Sequence, residues 1–229
     1  QGVVKIKFVD EMFVLNKAHV LGLCKLLASR EYKVNIWAYA RVDTVQDEFL
    51  GALKQAGVNW LCLGIESASS FVRDGALKKY GNAEIIDTVR RIQAAGIYVI
   101  VNYIFGLPDD TKERMKETLD LALELNCEYA NFYSAMAYPG SALYRDAVAQ
   151  GRRLPEKWED YSQHGYGTLP LANDHCTSAE ILAFRDQAFE TYFKSPGYLA
   201  MVKRKFGQGV VDHIGRMVKI PLKRKILEA

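Results

Sequence analysis

The sequence predicts an α/β protein: a partial (β/α) barrel of the TIM type, followed by a C-terminal helical extension. Three observations predict it. Strand-like and helix-like stretches alternate through the first 150 residues. The strand-like stretches are short, β-branched and aromatic, whereas the others repeat apolar residues three and four apart. Neither G-x-G-x-x-G nor G-x-x-x-x-G-K-[ST] is present, which argues against a dinucleotide fold or a P-loop enzyme.

The strands are expected in VVKIKFV (3–9), KVNIWAYA (33–40), VNWLCLGI (58–65), IYVIVNYIF (97–105) and EYANFYSAM (128–136). Helices are expected in AHVLGLCKLLASR (18–30), VQDEFLGALKQA (45–56), NAEIIDTVRRIQAAG (82–96) and TKERMKETLDLALELN (111–126). Ile85, Ile86, Val89 and Ile92 make an apolar face on the third of these. Gly57 and Gly96 each follow a helix and precede a strand, and Gly96 suits a left-handed cap. Repeated strand–helix units imply parallel strands with right-handed crossovers. The near-continuous apolar strands imply cover on both faces of the sheet.

Composition bounds the function. With 229 residues and 49% hydrophobic content, the chain can build a real core. A net charge of +3 is too small to argue for a nucleic-acid partner. No apolar run approaches the ~18 residues of a membrane span. Cys24, Cys62, Cys127 and Cys176 lie far apart with no C-x-x-C, and His19, His164, His175 and His213 are equally scattered. Buried free thiols in a reducing cytoplasm are therefore expected rather than a metal site or disulfides. The basic end, KIPLKRKILEA, reads as a solvated terminus. The opening QGVVKIKF, without an initiating Met, reads as a piece of a longer protein.

In barrels of this type the chemistry sits at the C-terminal ends of the strands. The first strand runs into two acids, Asp10 and Glu11, which either face a polar site or cap the next helix. The second ends at Arg41 and Asp43, the third at Glu66, Ser67 and Ser69. The fourth carries Asn102 and ends at Gly106, Pro108 and Asp109; the fifth ends at Tyr138, Pro139, Gly140 and Ser141. Helix capping accounts for Asp43, Ser69 and Asp110. It accounts less well for Glu66, which follows WLCLGI directly, with Gly64 leaving room for something to approach the backbone. Asn102 sits inside an apolar strand and needs polar partners if buried. Both suggest groups aimed at a ligand.

The ordered set FVDEMF, AYARVD, LGIESAS, NYIFGLPDDT and AYPGS resembles the radical S-adenosylmethionine (radical SAM) superfamily, in the branch whose members often carry an N-terminal cobalamin-binding domain. The resemblance covers roughly residues 3–150 and implies five of the six βα units of the family barrel. It implies that Asp10 and Glu11 lie near the methionine ammonium of SAM, and that Arg41 meets its carboxylate. It places Glu66 and Ser67 near the ribose. Asn102, Ile104 and Gly106 would line the adenine, with backbone at Tyr138 and Pro139 beside it. It implies a 4Fe–4S cluster in the parent, held by C-x-x-x-C-x-x-C, a motif this sequence does not contain. That cluster would reduce SAM to a radical that abstracts hydrogen from a small-molecule substrate, with flavodoxin or ferredoxin as electron donor. Cobalamin-dependent methyl transfer is among the implied chemistries. Without the motif the chain itself is expected to be inactive, with an exposed barrel edge able to pair with another copy.

Three regions are expected: residues 1–150 as the partial barrel, 151–176 as an irregular cover segment, and 177–229 as the helical extension. The cover segment offers His164 and Tyr166 as pocket candidates, and Thr177 and Glu180 have capping-box spacing. Helices then run to about Arg224, punctuated by Pro196 and Pro221. Two other readings stay open: an acid–base hydrolase or lyase using Asp10, Glu11 and Glu66, and a non-catalytic barrel scaffold.

Overall fold

The computed structural model describes residues 2–10, 12–30, 32–75 and 80–228. Five parallel strands form one sheet in chain order: β1 (Lys5–Lys7), β2 (Asn35–Ala40), β3 (Val58–Glu66), β4 (Tyr98–Phe105) and β5 (Tyr129–Ser134). The architecture is the expected α/β partial barrel of the TIM type. Helices α1 (Lys17–Ser29), α2 (Asp47–Gln55), α4 (Asn82–Ala94) and α5 (Lys112–Leu125) fall where periodicity places them, whereas α3 (Ser70–Gly75) and α6 (Ala142–Ala149) were not anticipated. Both are short, and their apolar repeats span too few turns to register. The extension is α7 (Ser178–Lys194), α8 (Pro196–Phe206) and α9 (Gln208–Met217), with Pro196 opening α8 rather than only ending α7.

The helix ends follow their sequences. Asn16 caps α1 by accepting from the His19 amide. Thr177 and Glu180 form the expected capping box of α7. Gly57 and Gly96 take φ of +89° and +74°, as their loop positions require.

By compactness the chain divides into two units, Gln1–Ile65 with Tyr80–Asn102 and Cys127–Asn131, and Glu66–Lys79 with Tyr103–Asn126 and Phe132–Ala229. In the first unit, Ile36, Ala38, Phe49, Leu53, Leu61, Ile85, Val89, Ile92, Val99 and Val101 are almost wholly buried. Exposure alternates along β2, β4 and β5, so Trp37, Tyr39, Tyr98, Ile100, Asn102, Tyr129 and Asn131 on the other face are only half-buried. This corrects the expectation of two covered faces. Tryptophan and tyrosine make a strand look apolar throughout, yet each tolerates partial exposure.

The second unit has an aromatic core. Phe105 and Phe132 stack at 5.8 Å between centroids, Tyr103 stacks on Phe132 at 5.5 Å, and Tyr192 meets Phe132 edge-on. The basic tail departs from its reading as solvated. Arg224 is 2% exposed. Its guanidinium donates to both carboxylate oxygens of Asp186, at 2.8 and 2.9 Å, and to the carbonyls of Gln163 and Gly165 and the Thr168 hydroxyl. Five donors in a fixed fork can satisfy such a buried pair where a lysine could not.

Candidate functional site

In the first unit, Asp10 is exposed, and its Oδ1 accepts from the Met12 amide at 2.9 Å. That carboxylate closes a turn, and Asn16 rather than either acid caps the next helix. Glu11 lies outside the described residues. Arg41 is held in a bidentate pair by Asp43, with Nε–Oδ1 at 3.0 Å and Nη2–Oδ2 at 2.8 Å. Asp43 thus acts as a counter-ion, where a helix cap was expected.

Asn102 has the partners its place in a strand requires. Its amide donates to Cys62 Sγ at 3.3 Å, and its carbonyl oxygen accepts from Asn131 at 2.9 Å. Asn131 was missed, although an Asn inside an aromatic strand carries the same signal as Asn102. Gly64 does admit a neighbour: the Tyr80 hydroxyl donates to its carbonyl at 2.9 Å.

In the second unit, Glu66 has φ of +66°, the left-handed region that only glycine enters freely. A residue held there stores about 1–2 kcal/mol that surrounding contacts must hold in place. Those contacts begin at Ser67, which is fully buried. Its hydroxyl pairs with Thr118 at 3.1 Å and accepts from the Ser69 amide. Buried Arg73 donates to the Ser67 carbonyl at 2.6 Å. Ser69 accepts from Val72 within α3, as a cap should.

Ile104 is half-buried on the same face of β4 as position 102. Gly106 follows with φ of +80°, and a Cβ there would lie 2.5 to 2.8 Å from three side-chain atoms of Ile181. Asp110 holds this turn by accepting from the Gly106 amide at 3.0 Å, while Thr111 is the cap of α5. Asp110 is fully buried and its Oδ1 has no hydrogen-bond partner among the described residues. Burial raises its carboxyl to about 6, against the lowering effect of the Gly106 and Thr111 amides. A pKa raised on folding adds stability that is complete below the unfolded value near 3.8 and is lost as pH rises through about 6. Asp110→Asn should therefore flatten the stability curve between pH 4 and 6, removing a change on the order of 2–3 kcal/mol. Thermal melts across that range check it; a slope unchanged in the variant would assign the titration to another group.

Tyr138 is exposed and stacks on Tyr161 at 5.8 Å, and its carbonyl accepts from the Ser141 hydroxyl at 2.7 Å. Pro139 beside it is exposed. His164 is exposed at its edge, and burial with the charges of Arg185 and Arg224 holds its imidazole below the usual range. Tyr166 is tied to Glu228 at 3.0 Å.

Residues 10–122 match the family model of the radical SAM superfamily. This segment belongs to the radical SAM superfamily. It is 27% identical over 95% of its length to an uncharacterized methyltransferase of Pyrococcus horikoshii, of which it covers 45%. It is 26% identical over 76% of its length to the anaerobic magnesium-protoporphyrin IX monomethyl ester cyclase of Cereibacter sphaeroides, covering 28% of that protein. The chain thus spans less than half the length of both curated relatives. In fold it is similar to the radical SAM methyltransferase TsrM of Kitasatospora setae, a structure with cobalamin and a [4Fe-4S] cluster bound. The TM-score is 0.60 at 20% identity, over 68% of this chain and 33% of that one.

The four cysteines do not fit an iron–sulfur cluster. Each is free and buried, and among the described residues no three His, Cys, Asp or Glu side chains gather around a common point. No described helix is long and apolar enough to cross a membrane.

Proposed function

We propose that the chain is the SAM-binding core of a radical SAM enzyme, and that the whole protein is a methyltransferase that also uses cobalamin. The observation that carries this is Glu66. A carboxylate held in a left-handed conformation at the last residue of a barrel strand is a strained feature, and strain of this kind concentrates at ligand sites. The methyltransferase reading draws support from the Pyrococcus relative, whose similarity runs along nearly the whole chain.

The roles are assigned residue by residue. Glu66 accepts hydrogen bonds from the ribose hydroxyls, and buried Ser67 positions it. Ile104 and Gly106 supply an apolar edge and bare backbone to adenine, with Tyr138 and Pro139 contributing backbone. In the first unit, Asn102 offers its amide to adenine, Asp10 and Glu11 serve the ammonium, and Arg41 serves the carboxylate. SAM, when bound, supplies the transferable methyl group and the hydrogen-abstracting chemistry, while these residues bind and orient it. Since the chain provides no cluster ligands, it is proposed to bind SAM without cleaving it. The whole protein would take its electron from a flavodoxin or ferredoxin and act on a small-molecule substrate.

Two substitutions at one position test this. Glu66→Ala should weaken S-adenosylhomocysteine binding about tenfold in calorimetry, the worth of one hydrogen bond to a charged acceptor. Glu66→Gly should weaken binding similarly while raising stability by about 1 kcal/mol, because glycine relieves the left-handed strain. Wild-type chain that takes up neither S-adenosylmethionine nor S-adenosylhomocysteine at millimolar concentration would remove the proposal.

A further inference from the structure

The first unit contains an open groove of about 440 Å³, within the range of small-molecule sites. It lies over the first residues of the strands. Trp37, Trp60, Tyr129 and Ile100 make its walls, and Lys5 and Lys7 of β1 stand at its edge. The walls are braced by neighbouring rings of the same face: Trp60 packs on Tyr98 at 4.8 Å between centroids, and Trp37 on Tyr39 at 5.5 Å. Among the described residues, both lysines are the charged groups of the lining, and no carboxylate helps to form it. Lys7 rests its ammonium 4.1 Å from the centre of the Trp37 ring and 5.3 Å from that of Tyr39. Among the described residues Lys7 makes these ring contacts and no ion pair. The indole N–H of Trp37 is buried without an acceptor among the described residues.

From these features we infer that the groove binds a flat aromatic ligand bearing a carboxylate or another anionic group. Large rings offer stacking area to a planar body, and they favour it over a flexible aliphatic chain, which would lose more rotational freedom on binding. The two ammonium groups, unopposed by any acid in the lining, select for negative charge on that body. A cation resting on an indole exchanges a modest attraction for a stronger charge-assisted hydrogen bond when an anion arrives. One side-chain layer further along the same strands lies the polar row of Cys62, Asn102 and Asn131, which are hydrogen-bonded to one another and stand outside the groove's lining. The binding of this ligand does not rest on the function proposed above.

The experiment compares 2-naphthoate with uncharged 2-naphthamide on the full chain, by calorimetry and by the indole N–H signals in nitrogen-15 NMR. The chain has three tryptophans, and Trp158 belongs to the second unit and is 77% exposed, so its signal is an internal control. Naphthoate is expected to shift the Trp37 and Trp60 signals, leave that of Trp158 in place, and bind at least fivefold more tightly than the amide. In the Lys5→Met/Lys7→Met variant, exposed positions whose replacement leaves the core untouched, the preference should disappear. Absence of saturable shifts at millimolar ligand, equal binding of acid and amide, or a preference that survives the double substitution would each overturn the inference. Naphthoate binding in a chain that fails to bind S-adenosylhomocysteine would leave the groove standing and remove the SAM reading alone.

Discussion

Arg224→Ala is expected to lower the stability of the chain by about 3–5 kcal/mol, the usual consequence of removing one partner from a buried ion pair. The guanidinium is almost fully enclosed and makes five hydrogen bonds, two of them to Asp186. Burial pushes the Asp186 carboxyl up, but hydrogen bonds from Arg224 and Arg185 outweigh it and hold it below its usual range. Without Arg224 that carboxylate keeps Arg185, at 2.7 Å, as its one ionic partner among the described residues, and three acceptors of the 163–168 segment each lose a hydrogen bond. Arg224→Lys should recover only a minor part, because an ammonium cannot span both carboxylate oxygens and the carbonyls together. Urea denaturation of the three proteins measures this. A loss below 1 kcal/mol for the alanine variant would mean that the C-terminal residues are not held by this contact.

Gly106→Ala should cost about 2–5 kcal/mol. Left-handed backbone contributes about 1–2 kcal/mol for any residue with a Cβ. Overlap with the Ile181 side chain adds a packing cost of about 1–3 kcal/mol. The two causes separate in a double-mutant cycle. Ile181→Ala opens the space, so it should recover the steric part in the Gly106→Ala background and leave the backbone part, a coupling of at least about 1 kcal/mol. Additive behaviour in the cycle would show that the neighbours yield without strain, leaving φ as the whole effect.

Strand and helix positions were legible because each obeys a local rule. Val99, Val101 and Tyr103 alternate with half-buried neighbours, and Ile85, Val89 and Ile92 repeat at helical spacing. What was not legible depends on distant partners or on backbone angle. Asp110 and Thr111 are both good caps by type, and only the backbone decides that Thr111 takes the role while Asp110 turns back to Gly106. Glu66 gives no hint of its positive φ, since glycine is the residue that normally marks one. Arg224 sits in a run of basic residues, and its partner Asp186 is 38 residues away. At the candidate site, Glu66 and Asn102 stood out as misfits to the strand pattern. Asn131 carries the same signal as Asn102, whereas Trp37 and Trp60 carry none, because they stand among other apolar residues that read as ordinary core.

The alternating exposure of the strands also bears on how such a protein can diversify. Val99 and Val101 face the helices with no exposed surface, so an exchange there is met by a loss of packing and is removed by selection. Ile100 and Tyr129 occupy intervening positions along the groove and are only partly enclosed. Replacements at these positions alter what the groove accepts while the helix-facing layer keeps the fold. A lineage built on this sheet can therefore drift toward new ligands one side chain at a time, passing through folded intermediates at every step.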